Sequence, residues 1–340
     1  MKKTSTLILT AMLLCFAACK KNEVPSPVNP TPPPVITPLA SLIPLPAGWK
    51  YSSTLSAPFP QASMQAYKFD TSWAGANTKA VALVYNSANT AIEFKPVQSA
   101  TAKKPTDFYS QETGQVYACI NGGYFGANQS YSLVKYNNAV SSANIKVVNR
   151  MYAGANTAYY PTRAAFGVTP TGAPSAVWMY NVGATNDVLY SYPTASPNVD
   201  GQAPQAVPTA TFPSGGSLWN VTSAIGGSPM LLKNSAVNIS DVEELISINN
   251  TTSRPRTAIG YTAGGMVVVM VVEGDNAAGG YAGINLLNLA NMMRSLGCTD
   301  AINLDGGGSS MMIIGNQQVI RQGDIAGERP VVSSIIIKNR

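Results

Sequence analysis

From about residue 40 onward the chain alternates short apolar runs with clusters of glycine, proline, asparagine and serine, the pattern of many short strands joined by turns. Val81–Tyr85, Val116–Ile120, Ala164–Val168, Ala176–Tyr180, Ala258–Tyr261, Ala301–Leu304, Met311–Ile314 and Val331–Ile337 each read as a strand. Met266–Val272 is apolar without a break, which predicts a strand buried on both faces. Gly315-Asn316 between Ile314 and Gln317 predicts a two-residue hairpin turn. One segment has helical spacing. In Ile284–Leu296, Leu286, Leu289, Ala290, Met293 and Leu296 recur at steps of three and four, with Asn288, Asn291 and Ser295 opposite and Gly297 as the stop. The sum is a strand-rich, mixed-sheet α+β domain over residues 46–340, with few helices and one amphipathic helix near 284–296. Residues 183–220 are the least patterned and predict a long loop or insertion.

The first 45 residues follow a different pattern. Lys2 and Lys3 precede an apolar run from Leu7 to Ala18, broken only by Thr10. A bilayer span needs about twenty residues, so this run fits a signal peptide instead. Phe16-Ala17-Ala18-Cys19 resembles a bacterial lipobox, and seven prolines within residues 25–38 give a stiff, extended spacer. The expectation is a signal peptide over residues 1–18, then lipidation at Cys19 and a tether over residues 19–45. The membrane is then a partner through the lipid anchor, and the protein sits in the bacterial cell envelope, on its periplasmic or cell-surface face.

Composition narrows the chemistry. Charged residues make up 11% of the chain, against about a quarter in an average soluble domain, and histidine is absent. That excludes a Ser-His-Asp or Cys-His triad and every histidine-ligated metal site. The net charge of +6 falls to +4 once Lys2 and Lys3 leave with the signal. The basic residues are scattered and form no aromatic-interleaved stripe, so nucleic acid is not an expected partner. Cys119 and Cys298 read as two buried free thiols. Chemistry here must rest on carboxylates, arginines, hydroxyls and backbone.

The stretch Ala301–Ile314 is the most informative. Asp305 stands at the exit of a strand, followed by Gly306, Gly307, Gly308, Ser309 and Ser310 and then by a second strand. No lysine follows the glycines and no helix begins there, so a nucleotide-phosphate loop is excluded. Three glycines permit a nest of converging amides for an anion, and the serines add hydroxyl donors.

Asn303-Leu304-Asp305-Gly306-Gly307-Gly308-Ser309-Ser310 resembles the signature of the phosphodiester glycosidase family. Further family-like segments follow the expected order: Ile120-Asn121-Gly122-Gly123-Tyr124-Phe125, Gly226-Gly227-Ser228-Pro229-Met230-Leu231, Pro255-Arg256-Thr257-Ala258-Ile259-Gly260 and Arg329-Pro330-Val331. The resemblance spans roughly residues 75–338. One departure stands out: the family usually has Asp-Gly-Arg after the long apolar strand, whereas this chain has Glu273-Gly274-Asp275. The resemblance implies hydrolysis of the bond between a sugar's anomeric carbon and a phosphodiester. Such a reaction needs carboxylates for an oxocarbenium-like transition state, arginine for the phosphate, and no histidine.

Sixteen carboxylates allow assignment by elimination. Those outside the motifs, Glu244 among them, read as surface residues or caps, and Asp300 as a local cap. Asp305 and Glu273 both leave a buried strand at its C-terminal end, which makes Asp305 the candidate nucleophile or base and Glu273 its partner. Arg256 is the preferred phosphate clamp, with Arg254 and Arg329 able to share it. Asn121, Gly122, Gly123, Thr257, Asn303, Gly306, Gly307, Gly308, Ser309, Ser310 and Arg329 are the candidate substrate-binding residues. For Asn121 the alternatives are a sugar hydroxyl or its own turn; for Asn303, the cleft or a buried polar bridge. Tyr124 and Phe125 offer an aromatic wall, with core packing the alternative for Phe125. The expected substrate is a sugar phosphate or phosphodiester-linked glycan, and no cofactor is expected. Two rivals stay open: a non-catalytic glycan-binding lipoprotein, and a phosphodiesterase with a divalent cation held by Asp305, Glu273 and Asp275.

Overall fold

Met266–Val272 lies at the centre of an eight-stranded sheet in the computed structural model, which describes residues 39–340. The expected signal peptide, Cys19 and the tether up to residue 38 lie outside the described residues. The sheet runs in the order Trp49–Tyr51, Met64–Trp73, Ala76–Asn86, Met266–Val272, Arg256–Thr262, Cys298–Asn303, Met230–Lys233, Ala236–Val237. Val267, Val269 and Val271 face one core together with Val81, Leu83 and Ile259. Val268, Met270 and Val272 face another, where the helix Leu286–Ser295 lays down Leu286, Leu289, Ala290 and Met293. Period-two alternation with both faces covered explains why the run contains no polar residue. Asn285 caps the helix by accepting from the Asn288 amide at 2.8 Å, and Gly297, at φ +85°, ends it.

The first core is closed by two more sheets. One has seven strands, centred on Arg163–Val168, Pro174–Asn181 and Ser223–Gly226. The other has five, with Val116–Asn121 between Met312–Ile314 and Val331–Asn339. Phe166, Trp178 and Ile225 from the former meet Ile120, Ile335 and Ile337 from the latter and the valines of the large sheet. Every strand pair among the described residues is antiparallel. The predicted hairpin turn has both Gly315 and Asn316 at positive φ, which matches the right-handed twist of its short strands.

Several details differ from the sequence reading. The compact unit begins at Ala40, and Ile43, placed by composition in the tether, is buried against the large sheet. Two further short helices occur, Ser53–Ser56 and Pro105–Gln111. Glu328 caps the second by accepting from the Thr106 amide and hydroxyl, each at 2.7 Å. The weakly patterned segment 183–220 supplies the strands Leu189–Tyr192 and Ser217–Leu218 to the edge of the seven-stranded sheet. Cys119 and Cys298 are buried free thiols, and burial pushes the Cys119 thiol up to about 12.

Candidate active site

Strand ends build the site. Val116–Asn121 ends where Cys298–Asn303 ends, and Arg256 opens the strand that pairs with the latter in the register Ala258 to Asn303. Asp305 follows immediately and is held through its backbone. Its amide donates to Gly122 O at 3.2 Å, and its carbonyl accepts from Asn121 Nδ2 at 2.8 Å. The Asn121 side-chain oxygen Oδ1 accepts from Thr257 Oγ1 at 2.9 Å and the Met311 amide at 3.1 Å. Thr257 Oγ1 also reaches Ser310 Oγ at 3.2 Å. These buried hydrogen bonds fix the main chain on either side of one carboxylate.

That carboxylate lines a cleft of about 280 Å³, together with Tyr124, Gly306, Gly307, Gly308 and the ion pairs Arg254–Asp275 and Arg329–Asp324. Burial pushes the Asp305 carboxyl up to about 6, against the pull of the Ser309 hydroxyl, the Gly306 amide and the Arg329 charge. The Gly306 amide donates to Oδ1 at 2.9 Å. Arg329 and Asp324 form a two-pronged pair with both contacts at 2.7 Å. Gly308 makes room for it, since a Cβ there would sit 2.1 Å from Asp324 Oδ1. Arg254 and Asp275 meet at 3.4 Å on the exposed lip. Among the described residues, Asp305 is thus the one carboxylate of the cleft without a cation paired to it.

The structure redistributes several sequence assignments. Glu273 does not line the cleft. It is buried, with Oε2 held by Lys79 Nζ at 2.8 Å and the Arg321 amide at 3.0 Å, and Oε1 by Asn276 Nδ2 at 2.7 Å. Burial opposes its ionisation, but these three donors hold the carboxyl below its usual range. Arg256 does line the cleft, yet its guanidinium donates to the carbonyls of Ile284, Ile248, Asn249 and Thr252, tying down the 248–252 loop. Asn121, Thr257 and Ser310 form the buried bridge above in place of a sugar contact. Asn303 is also a buried bridge, donating to Tyr124 Oη, Ser228 O and Leu304 O. Gly122 and Gly123 serve close packing: a Cβ on either would come within 2.3 Å of Ser333 Oγ or Gly226 O.

The glycine turn is not an open nest. Gly306, Gly307, Ser309 and Ser310 direct their amides at Asp305 Oδ1, Pro255 O, Gly306 O and Gly307 O respectively. Its glycines line the cleft as surface that a ligand can approach closely. Tyr124 joins the wall and donates from Oη to Ser228 O at 2.7 Å. Burial, and then the Asp305 charge, push its phenol well above the ordinary value. Phe125 is half-buried against a satellite core.

Sequence reasoning passed over Glu244. It is buried and accepts from the Ala164 and Met230 amides, the Ser228 and Ser240 hydroxyls and Trp178 Nε1. Through Ser228 it braces the carbonyl that receives Tyr124 and Asn303. Its neighbour in charge is Arg163, buried at the head of its strand. The Ser240–Glu244 spacing is the one local cue; the other donors come from distant strands.

Comparison with known proteins adds the lineage. A family model described as phosphodiester glycosidase matches residues 114–338. The catalytic domain of zebrafish N-acetylglucosamine-1-phosphodiester alpha-N-acetylglucosaminidase, auto-inhibited by its pro-peptide, superposes with a TM-score of 0.53 at 15% identity, over 82% of this chain and 83% of that one. A hypothetical protein from Synechocystis superposes at 0.54 with 17% identity over 82% of this chain, which spans 62% of that protein. A putative exported protein from Burkholderia pseudomallei K96243 gives 0.50 and 15%, over 79% and 75% of the two chains. No curated protein matches the sequence. At these identities the superpositions establish the shared fold.

Proposed function

Since the chain belongs to the phosphodiester glycosidase family, a family of hydrolases, we propose that it cleaves the glycosidic bond of a sugar-1-phosphodiester, releasing free sugar and a phosphomonoester. The observation that carries this reading is Asp305: half-buried, raised to about 6, unpaired with any cation, and ringed by Arg254, Arg256 and Arg329. A carboxylate near 6 is ionised at neutral pH yet basic enough to take a proton from water or to attack the anomeric carbon. The phosphate needs little protonation to leave, but it does need its negative charge held. Arg329 and Arg254 are the groups with donors to give: each keeps N–H groups beyond those bonded to its aspartate. Arg256 contributes charge from behind, while its N–H groups maintain the loop. Tyr124 supplies an aromatic edge for the sugar.

The rival reading, a divalent cation held by Asp305, Glu273 and Asp275, is poorly supported by the donor set. Glu273 has both oxygens engaged elsewhere and Asp275 faces Arg254. The lipobox-like Phe16-Ala17-Ala18-Cys19 and the proline-rich segment support an envelope-tethered location, tested by metabolic labelling with a palmitate analogue in wild type and Cys19→Ala. The reaction itself is tested with a sugar-1-phosphodiester in oxygen-18 water, with and without chelator. Label in the sugar supports the glycosidase; label in the phosphate identifies a phosphodiesterase; binding without turnover identifies a glycan-binding protein.

A further inference from the structure

Arg163–Val168 starts beside Tyr124 and runs away from the cleft, and Ser223–Gly226 returns antiparallel to it. At their far end, about 17 Å along the strand, a second cavity of about 400 Å³ opens, sharing no lining residue with the first. Ile92, Phe94 and Val168 give it an apolar floor. Hydroxyl groups form its rim: Thr169 and Thr171 lie 2.9 Å apart, and Thr222 Oγ1 donates to Val168 O at 3.2 Å, leaving its lone pairs available.

Two side chains among the lining residues carry a polar atom without a partner among the described residues. Tyr85, one of the residues lining the cavity, is 1% exposed, and its buried hydroxyl has no hydrogen-bond partner among the described residues. A phenylalanine would fill the same core position without a buried polar atom, so the hydroxyl is a cost unless something in the cavity answers it. Glu93 accepts from Tyr136 Oη at 2.6 Å through Oε1 alone and presents its second oxygen without a partner among the described residues. The rim is also preformed. Gly172, at φ +81°, presses the 169–172 turn so close to Ser87 that a Cβ would lie 2.2 Å from its carbonyl oxygen.

We propose that this cavity is a second binding site, taking a neutral pyranose whose C–H face lies on Phe94, Ile92 and Val168 and whose hydroxyls meet Tyr85, Glu93 and the threonines. The chemistry selects this class. Among its walls the charged side chains are one carboxylate, Glu93, and one guanidinium, Arg340, one of each sign. An apolar floor with a ring of hydroxyls and a carboxylate oxygen suits a ligand with alternating C–H and O–H surfaces, and the volume falls within the small-molecule range.

The proposal stands apart from the catalytic reading and is tested apart from it. Saturation-transfer NMR and calorimetry on the full chain would use methyl β-glucopyranoside, methyl β-galactopyranoside, methyl α-mannopyranoside and N-acetylglucosamine as probes, with glucose 1-phosphate as the charged comparison. At least one neutral probe is expected to bind. Tyr85→Phe and Glu93→Gln should each weaken it about five- to tenfold, the loss of one hydrogen bond, without changing sugar-1-phosphodiester hydrolysis. The cleft variant Asp305→Asn should bind it as wild type does. Glu93 is half-buried at the rim, so its variant reports even if the Tyr85 substitution perturbs the core. The proposal is overturned if no neutral probe binds, if glucose 1-phosphate alone binds, if folded Glu93→Gln binds with wild-type affinity, or if Asp305→Asn abolishes binding.

Discussion

Asp305→Asn separates what the carboxylate does for the reaction from what it does to the fold. An ordinary aspartate titrates at 3.8, and Asp305 is held near 6 by burial. The folded state therefore binds this proton more tightly than the unfolded chain, so stability is highest below 3.8 and falls as pH rises towards 6. At about 1.4 kcal/mol per tenfold, the ionised carboxylate costs the fold about 3 kcal/mol at neutral pH. Asparagine keeps the shape and cannot ionise. Asp305→Asn should thus be more stable than wild type at pH 8, by up to about 3 kcal/mol in a denaturant titration, and equal to it at pH 3.5. Its activity should move the other way, falling at least a hundredfold in kcat/KM on a sugar-1-phosphodiester. For the wild type, kcat/KM should rise with pH through about 6, the value of the free enzyme. The rise in kcat should lie at higher pH, because a bound phosphodiester anion disfavours the ionised carboxylate. A variant that stays active within tenfold would refute the catalytic assignment. A stability gain of the same size at pH 3.5 and pH 8 would refute its electrostatic origin.

Three other outcomes follow from the placements. Glu273→Gln leaves Lys79 without its buried partner and should destabilise by about 1–3 kcal/mol at pH 7 while changing kcat less than tenfold; its stabilising contribution is present above the ordinary carboxylate range and fades as pH drops through its depressed value. Arg256→Met abandons four backbone carbonyls and should lower stability by roughly 3 kcal/mol or more by denaturant titration, with activity lost alongside. Arg329→Lys cannot reproduce the two-pronged contact with Asp324, and steady-state kinetics should show KM raised about tenfold or more, with stability nearly unchanged.

Local patterning made the elements legible. Met266–Val272, the Gly315-Asn316 turn and the 286–296 stripe of the helix each declare themselves within a dozen residues. The position of Asp305 at the cleft was legible for the same reason, since it stands between a strand and a glycine turn. Glu273 carries the same signal, a carboxylate just past a buried strand, and it leads elsewhere. Its backbone amide pairs with Lys79 O at 2.9 Å, which brings the Lys79 ammonium to its side chain. That register joins residues far apart in the chain, so no local pattern contains it. Arg256 resists reading in a similar way, because its acceptors appear only once the 248–252 loop wraps round it. Residues 40–45 follow prolines in sequence, but Ile43 finds the large sheet in space.

The acids of this chain differ more in their hydrogen-bond donors than in their sequence motifs. In a chain without histidine and with few charges, each buried acid needs its oxygens satisfied or it destabilises the fold. Glu244 gathers five donors, and Glu273 has Lys79, Asn276 and the Arg321 amide. Asp300 accepts from Lys233, the Asn234 amide and Tyr261, and Glu112 from Lys95 and Lys338. Each of these acids ties distant strands or turns together. Asp305 has the amide of the next residue and a serine hydroxyl beside it, and no lysine or arginine of its own. Its neighbours could have supplied one, since Arg329 and Arg254 share the cleft, but Asp324 and Asp275 hold them off. The arrangement keeps a basic carboxylate beside cations without letting them neutralise it, a combination that stabilises nothing in the resting fold and that, on the proposed function, becomes favourable when a sugar phosphate lies between them.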